Sequence, residues 1–96
     1  MREKIIRRRL RFLGAVQGVG FRWRACHAAD AVGATGWVRN EPDGSVTMEI
    51  QGTEAQIDRV ILQIAAGRWV DIARMEAKTI PLRDDERGFH AADDLW

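Results

Sequence analysis

Gly14-Ala15-Val16-Gln17-Gly18-Val19-Gly20-Phe21-Arg22 joins an alternating segment to a helical one. Its three glycines leave the backbone unrestricted, and glycine lets a ligand approach the main chain closely. Arg22 stands where the helical pattern begins. A helix start carries orphan N–H groups and a partial positive charge, which together favour an anion. The stretch therefore reads as a phosphate cradle with Arg22 as its fixed charge.

Upstream, Ile5 to Leu13 alternates, with Arg7, Arg9 and Arg11 on one parity and Leu10 and Phe12 on the other. That pattern describes a strand with one buried face and one wet face. Arg8 falls on the inward parity and is expected at a frayed strand start. Downstream, Phe21, Ala25, Ala28 and Val32 follow the spacing of one helical face, and Gly33 suits a left-handed cap. Thr35 to Asn40 reads as a strand, and Glu41-Pro42-Asp43-Gly44 as the turn of a hairpin. Ser45 to Gln51 then alternates, with Val46, Met48 and Ile50 inward and Thr47, Glu49 and Gln51 outward.

Thr53 and Gln56 have the spacing of a capping box, opening a second helix. Ile57, Val60, Ile61 and Ile64 form its apolar stripe, and Gly67 is expected to stop it. Val70 to Ile80 reads as a fourth strand with Ala73, Met75 and Ala77 inward, ended by Pro81. A charged loop over 82–87 follows, then a short strand over 88–91 that places Phe89 in the core, then a loose tail over 92–96. The order β-α-β-β-α-β gives an α+β, ferredoxin-like sandwich: an antiparallel sheet with two helices on one face. Strands apolar on both faces would have indicated a doubly wound sheet instead.

A chain of 96 residues supports one small domain, over 1–96. Its net charge of +1 argues against a whole-surface binder of nucleic acid or membrane. A lone Cys26 excludes an intramolecular disulfide and suits a reducing compartment. No apolar run approaches membrane-spanning length and the start lacks a signal-peptide segment, so a cytoplasmic protein is expected.

The glycine-rich stretch is not a P-loop, because no Gly-Lys-Ser/Thr follows it. Nor is it a dinucleotide fingerprint, because Trp23 stands where the third glycine belongs. Spacing alone fits a tight strand-to-helix connection with no ligand equally well. Arg22 at a helix start opposes the dipole, a placement that makes sense if an anion lies between them. Asn40 reads locally as a turn asparagine, but the topology can bring its strand end close to the glycine-rich loop.

Val16 to Arg22, followed by Gly36-Trp37-Val38-Arg39-Asn40 with Gly44, Val46 and Gly52 downstream, resembles the two signature motifs of the acylphosphatase family. The resemblance covers nearly the whole chain and is weakest after Val70. It implies an enzyme that hydrolyses the carboxyl-phosphate bond of acyl phosphates, with no metal and no cofactor. In the family's roles, the backbone amides of Gln17, Gly18, Val19, Gly20, Phe21 and Arg22 bind the phosphoryl oxygens. The Arg22 side chain pairs with the same group, and Asn40 orients the attacking water. The expected partners are a small-molecule acyl phosphate, with inorganic phosphate as product and competitive ligand. A monomer is expected, and neither a membrane nor nucleic acid.

Other residues have blander readings. His27 and His90 are isolated and lack ligand spacing, and Cys26 suits packing better than attack. Asp84, Asp85 and Glu86 read as a solvated loop, and Asp93-Asp94 as a solvated tail. Two other functions stay open on the sequence. One is a catalytically idle phosphate-binding or regulatory module. The other is a nucleic-acid platform built from Arg7, Arg9, Arg11, Arg39 and Trp37 on the open sheet face, although base-stacking sheets use several aromatics. Similar domains also stand at the front of larger carbamoyl-phosphate-using maturation proteins, whose other parts 96 residues could not hold.

Overall fold

The computed structural model describes residues 3–92. The elements are β1 (Ile5–Ala15), α1 (Phe21–Val32), β2 (Thr35–Asn40), β3 (Val46–Thr53), α2 (Glu54–Ala65), β4 (Asp71–Ile80) and β5 (Phe89–Ala91). The sheet order is β4-β1-β3-β2-β5. β1 lies between β3 and β4 and is antiparallel to both, β2 is antiparallel to β3, and β5 runs parallel to β2. This is the ferredoxin-like arrangement, with the added edge strand carrying Phe89 into the core at 5% exposure. The tail over 93–96 lies outside the described residues. No described helix is long and apolar enough to cross a membrane.

One apolar layer holds the molecule together. Leu10, Phe12, Val38, Val46, Met48 and Ile50 from the sheet meet Phe21, Ala25, Ala29, Ile57, Val60 and Ile64 from the helices, all buried. Burying side chains of this kind stabilises by about 1.5–3 kcal/mol each before chain entropy is set against it. The two helices are closed differently. α2 has the complete capping box, with Thr53 and Gln56 each accepting from the other's backbone N–H. Its end needs no left-handed residue: Ala66 caps it in a right-handed conformation and Gly67 follows. α1 ends on Gly33 at φ 79°, as its sequence requires.

Four features depart from the sequence reading. Gly14 is not part of the loop, because β1 continues to Ala15. A β-bulge lies at Leu13/Gly14, where Gly14 has φ 125° and a Cβ would stand 2.3 Å from the Asp71 carbonyl. Arg8 is not frayed, since it pairs in register with both Ile50 and Thr79. It reaches the first turn of α2, where it meets Glu54 at 3.0 Å. On β4, Met75 and Ala77 share the face of Phe12 and Leu10 but are exposed. The helices pack mainly over β2, β3 and β5 and leave that edge uncovered, while Ala73 sits exposed in the bulge.

The fourth departure concerns the open face, which is less wet than alternation suggests. Arg7 is fully buried there, held by Glu49 at 2.9 Å, Glu86 at 2.7 Å and Gln51 at 3.3 Å. The 82–87 loop folds over the sheet to deliver Glu86, so this carboxylate is a buried partner and not a solvated loop residue. The other arginines also meet carboxylates: Arg9 with Glu49, Arg11 with Asp43 and Glu76, Arg39 with Glu41. Trp37 is flanked by the Arg9 and Arg39 guanidinium groups at 5.8 and 5.1 Å from its ring. A surface whose cations are paired in this way has little positive field to offer a phosphodiester backbone.

Burial opposes ionisation of Glu86, but hydrogen bonds from Arg7 and Thr35 and the charges of Arg7 and Arg83 outweigh it. The carboxyl is held below its ordinary range. A depressed pKa contributes stability above the unfolded-state value, and that stability is lost as pH falls through the folded-state value. Glu86→Gln is expected to cost about 1–3 kcal/mol at neutral pH, since Arg7 keeps Glu49 but loses a buried partner. Urea midpoints measured from neutral pH into acid should show the gap from wild type closing as the wild-type carboxyl protonates.

Candidate active site

The loop after β1 turns on Gly18 at φ 72° and Gly20 at φ 82°, left-handed conformations that other residues adopt only at a cost. A Cβ at either position would meet nothing within 4 Å, so backbone conformation and not crowding selects glycine. Gly20 is also the N-cap of α1, where it supplies no side chain to cap the helix, and the first turn holds no acidic residue. The contrast with α2, fully capped and opening on Glu54, is direct. The positive end of the α1 dipole therefore faces outward without a carboxylate from its own first turn, and Arg22 adds a cation there.

Packing fixes that helix end in place. Phe21 is 2% exposed and meets Phe12 edge-on, with ring centroids 4.9 Å apart. The loop is tied from its other side by Gln17, whose Nε2 donates to the Glu41 carbonyl at 2.7 Å and the Ser45 carbonyl at 2.9 Å. Both carbonyls belong to the hairpin that follows Asn40. Asp43 stiffens this hairpin by accepting from the Ser45 hydroxyl and backbone N–H, and it pairs with Arg11. Those contacts, the Ser45 hydroxyl first, lower the Asp43 carboxyl to about 2.

Asn40 pairs in register with Val46 and so lies on the helix side of the sheet, two residues beyond the buried Val38. Its Oδ1 is shut off from solvent. One cleft of about 350 Å3 is lined by Gly18, Gly20, Phe21, Arg22 and Asn40, with Val16, Trp23, Cys26 and Ala91 completing the wall. Of the residues singled out in sequence, Gln17 and Val19 do not line it: Gln17 turns to the hairpin and Val19 packs against the core. Burial and the charge of Asp30 push the Cys26 thiol up, only partly offset by Arg22, which suits a packing residue. His27 stacks on Trp23, and His90 lies 2.8 Å from the Arg87 carbonyl.

The acylphosphatase family model matches residues 8–91. The chain belongs to the acylphosphatase family. An acylphosphatase of Bifidobacterium longum is 37% identical over 82 residues, which cover 84% of each chain. One from Geobacillus kaustophilus is 43% identical over 77 residues, covering 79% of this chain and 82% of the relative. Among solved structures, an acylphosphatase from Bacillus subtilis superposes with a TM-score of 0.82, covering 93% of this chain and 99% of that one; at 24% identity this is a likeness of fold. T. kodakarensis HypF has a domain-sized match, with a TM-score of 0.76 over 91% of this chain and 12% of that one. The chain is thus an enzyme with acylphosphatase activity, and its substrate is a small-molecule acyl phosphate.

The side chain that sequence reasoning passed over is Gln17. The acylphosphatase motif points to its backbone amide alone, yet its side chain is the strap between the glycine-rich loop and the hairpin after Asn40. Gln17→Ala is expected to destabilise by only about 1 kcal/mol, because both carbonyls keep backbone donors, Gly44 N–H for Glu41 and Glu41 N–H for Ser45. The loosened loop should nonetheless raise the inhibition constant for inorganic phosphate several-fold, roughly the effect of one lost positioning contact. Competition assays beside a denaturation curve check both parts.

Proposed function

We propose that the cleft performs the hydrolysis with two side chains and a row of amides. The N–H groups of Gly18, Gly20, Phe21 and Arg22 on the cleft wall, with the backbone amides of Gln17 and Val19 in the same loop beside it, hold the phosphoryl oxygens, and the Arg22 guanidinium pairs with the same group. Asn40 holds and orients the attacking water. The products are a carboxylate and inorganic phosphate, and phosphate then competes with substrate for the cradle. The observation that carries this reading is the meeting of Arg22 and Asn40, from separate elements, on one cleft with the glycines of the loop.

Physical chemistry makes so small a set sufficient. The leaving carboxylate has a conjugate acid with a pKa of roughly 4, so it departs without a proton from the enzyme. A loose, metaphosphate-like transition state asks little push from the nucleophile. Orientation of water by Asn40 can then replace a general base. Fixed amides and Arg22 stabilise charge on the equatorial oxygens without reorganising during the reaction. We further infer that the chain acts as a monomeric single domain in the cytoplasm, a reading supported by its lone Cys26 and near-neutral charge.

Titration with inorganic phosphate, followed through backbone amide chemical shifts, tests the cradle. The largest shifts should fall on residues 17–22. Larger shifts on the open sheet face, around Arg9 and Arg39, would place the anion site elsewhere.

A further inference from the structure

We propose that Trp23 reads the acyl end of the substrate and favours acyl phosphates whose acyl group is a flat aromatic. The proposal rests on the phosphoryl cradle described above. Amides and a guanidinium grip the phosphoryl end, but none of them distinguishes one acyl group from another. The acyl carbon is bonded through one oxygen to the phosphorus, so the acyl group must lie at the wall of the same cleft. Trp23 forms part of that wall and directly follows Arg22 on the first turn of α1.

The indole has no structural role in the core: it is 63% exposed, whereas its neighbour Phe21 is 2% exposed. It is nevertheless held in place. His27, one turn further along α1, stacks against it with ring centroids 4.0 Å apart and planes inclined at 35°. The same indole borders a second cleft of about 350 Å3 between α1 and α2, lined by Ala28, Ala31 and Val32 together with Arg24, Arg59 and Gln63. Trp23 thus borders both clefts, so that an acyl group extending from the cradle toward the second one meets a large, pre-positioned π surface. A ring stacked there loses its water-exposed face and gains aromatic contact, and an acetyl group does neither.

The test is kcat/KM for benzoyl phosphate and for acetyl phosphate, with inhibition by inorganic phosphate, in wild type, Trp23→Ala and Trp23→Phe. Because the side chain is exposed, neither variant should unfold the protein. The benzoyl-to-acetyl ratio should fall roughly fivefold in Trp23→Ala and stay within about twofold in Trp23→Phe, the size expected of one aromatic stack. Phosphate inhibition should be the same in all three. A Trp23→Ala ratio within about twofold of wild type would overturn the assignment of Trp23 while leaving the cradle intact. A wild type that hydrolyses neither compound would overturn the cradle reading, and this inference with it.

Discussion

Replacing Asn40 with alanine is expected to lower kcat by about a hundredfold or more and to leave the inhibition constant for inorganic phosphate within about threefold of wild type. The split follows from where Asn40 lies. It ends β2 on the helix side of the sheet and lines the cleft from outside the glycine-rich loop. The loop and Arg22 belong to a different part of the chain, so on the proposed mechanism phosphate keeps its partners when Asn40 is truncated. What would disappear is the group proposed to hold water in line with the leaving oxygen, and small errors in such alignment cost about two orders of magnitude. The fold should tolerate the change, because Glu41 N–H still bonds the Ser45 carbonyl and closes the hairpin. Steady-state kinetics with product inhibition measures both quantities in one series. A near-normal kcat would remove Asn40 from the mechanism.

Arg22→Ala is expected to have a different signature, with kcat and phosphate affinity falling together. A charge-assisted, bidentate contact to a phosphoryl group contributes roughly 2–3 kcal/mol, so the inhibition constant should rise by about thirtyfold or more. Loss of one preorganised electrostatic donor lowers kcat by a further factor of about a hundred to a thousand. Arg22→Lys should recover only part of either effect, because an ammonium offers a point charge where the guanidinium offers a planar fork. Should phosphate inhibit the Arg22→Ala enzyme as well as wild type, the guanidinium has no part in the cradle.

The fold was legible because three kinds of signal agreed. Alternation along β1 and β3, the capping box at Thr53, and the Gly33 and Asp43-Gly44 punctuation all described the same βαββαβ order. The cleft was legible for a related reason: glycines at 18 and 20 and a cation at 22 sit where a helix begins. Asn40 carried a further signal in its parity, since a polar residue two positions after Val38 lies on the apolar side of the strand. What the sequence concealed was long-range. Arg7 looks like its neighbours Arg9 and Arg11 until Glu86, from a loop 79 residues away, folds over it. Gln17 looks like one more loop residue until the hairpin carbonyls come within reach. Met75 has inward parity, but parity cannot say whether a helix lies beneath an edge strand. The Gly14 bulge likewise depends on where β4 comes to lie.

Phosphate release from benzoyl phosphate, followed for wild type and Asn40→Ala with a chelator present, tests whether Asn40 positions water in a reaction that needs no metal. The expected result is sustained turnover by the wild type in chelator and a rate lower by about a hundredfold or more for Asn40→Ala. Equal rates for the two proteins, or a wild-type rate abolished by the chelator and restored by a divalent cation, would contradict it.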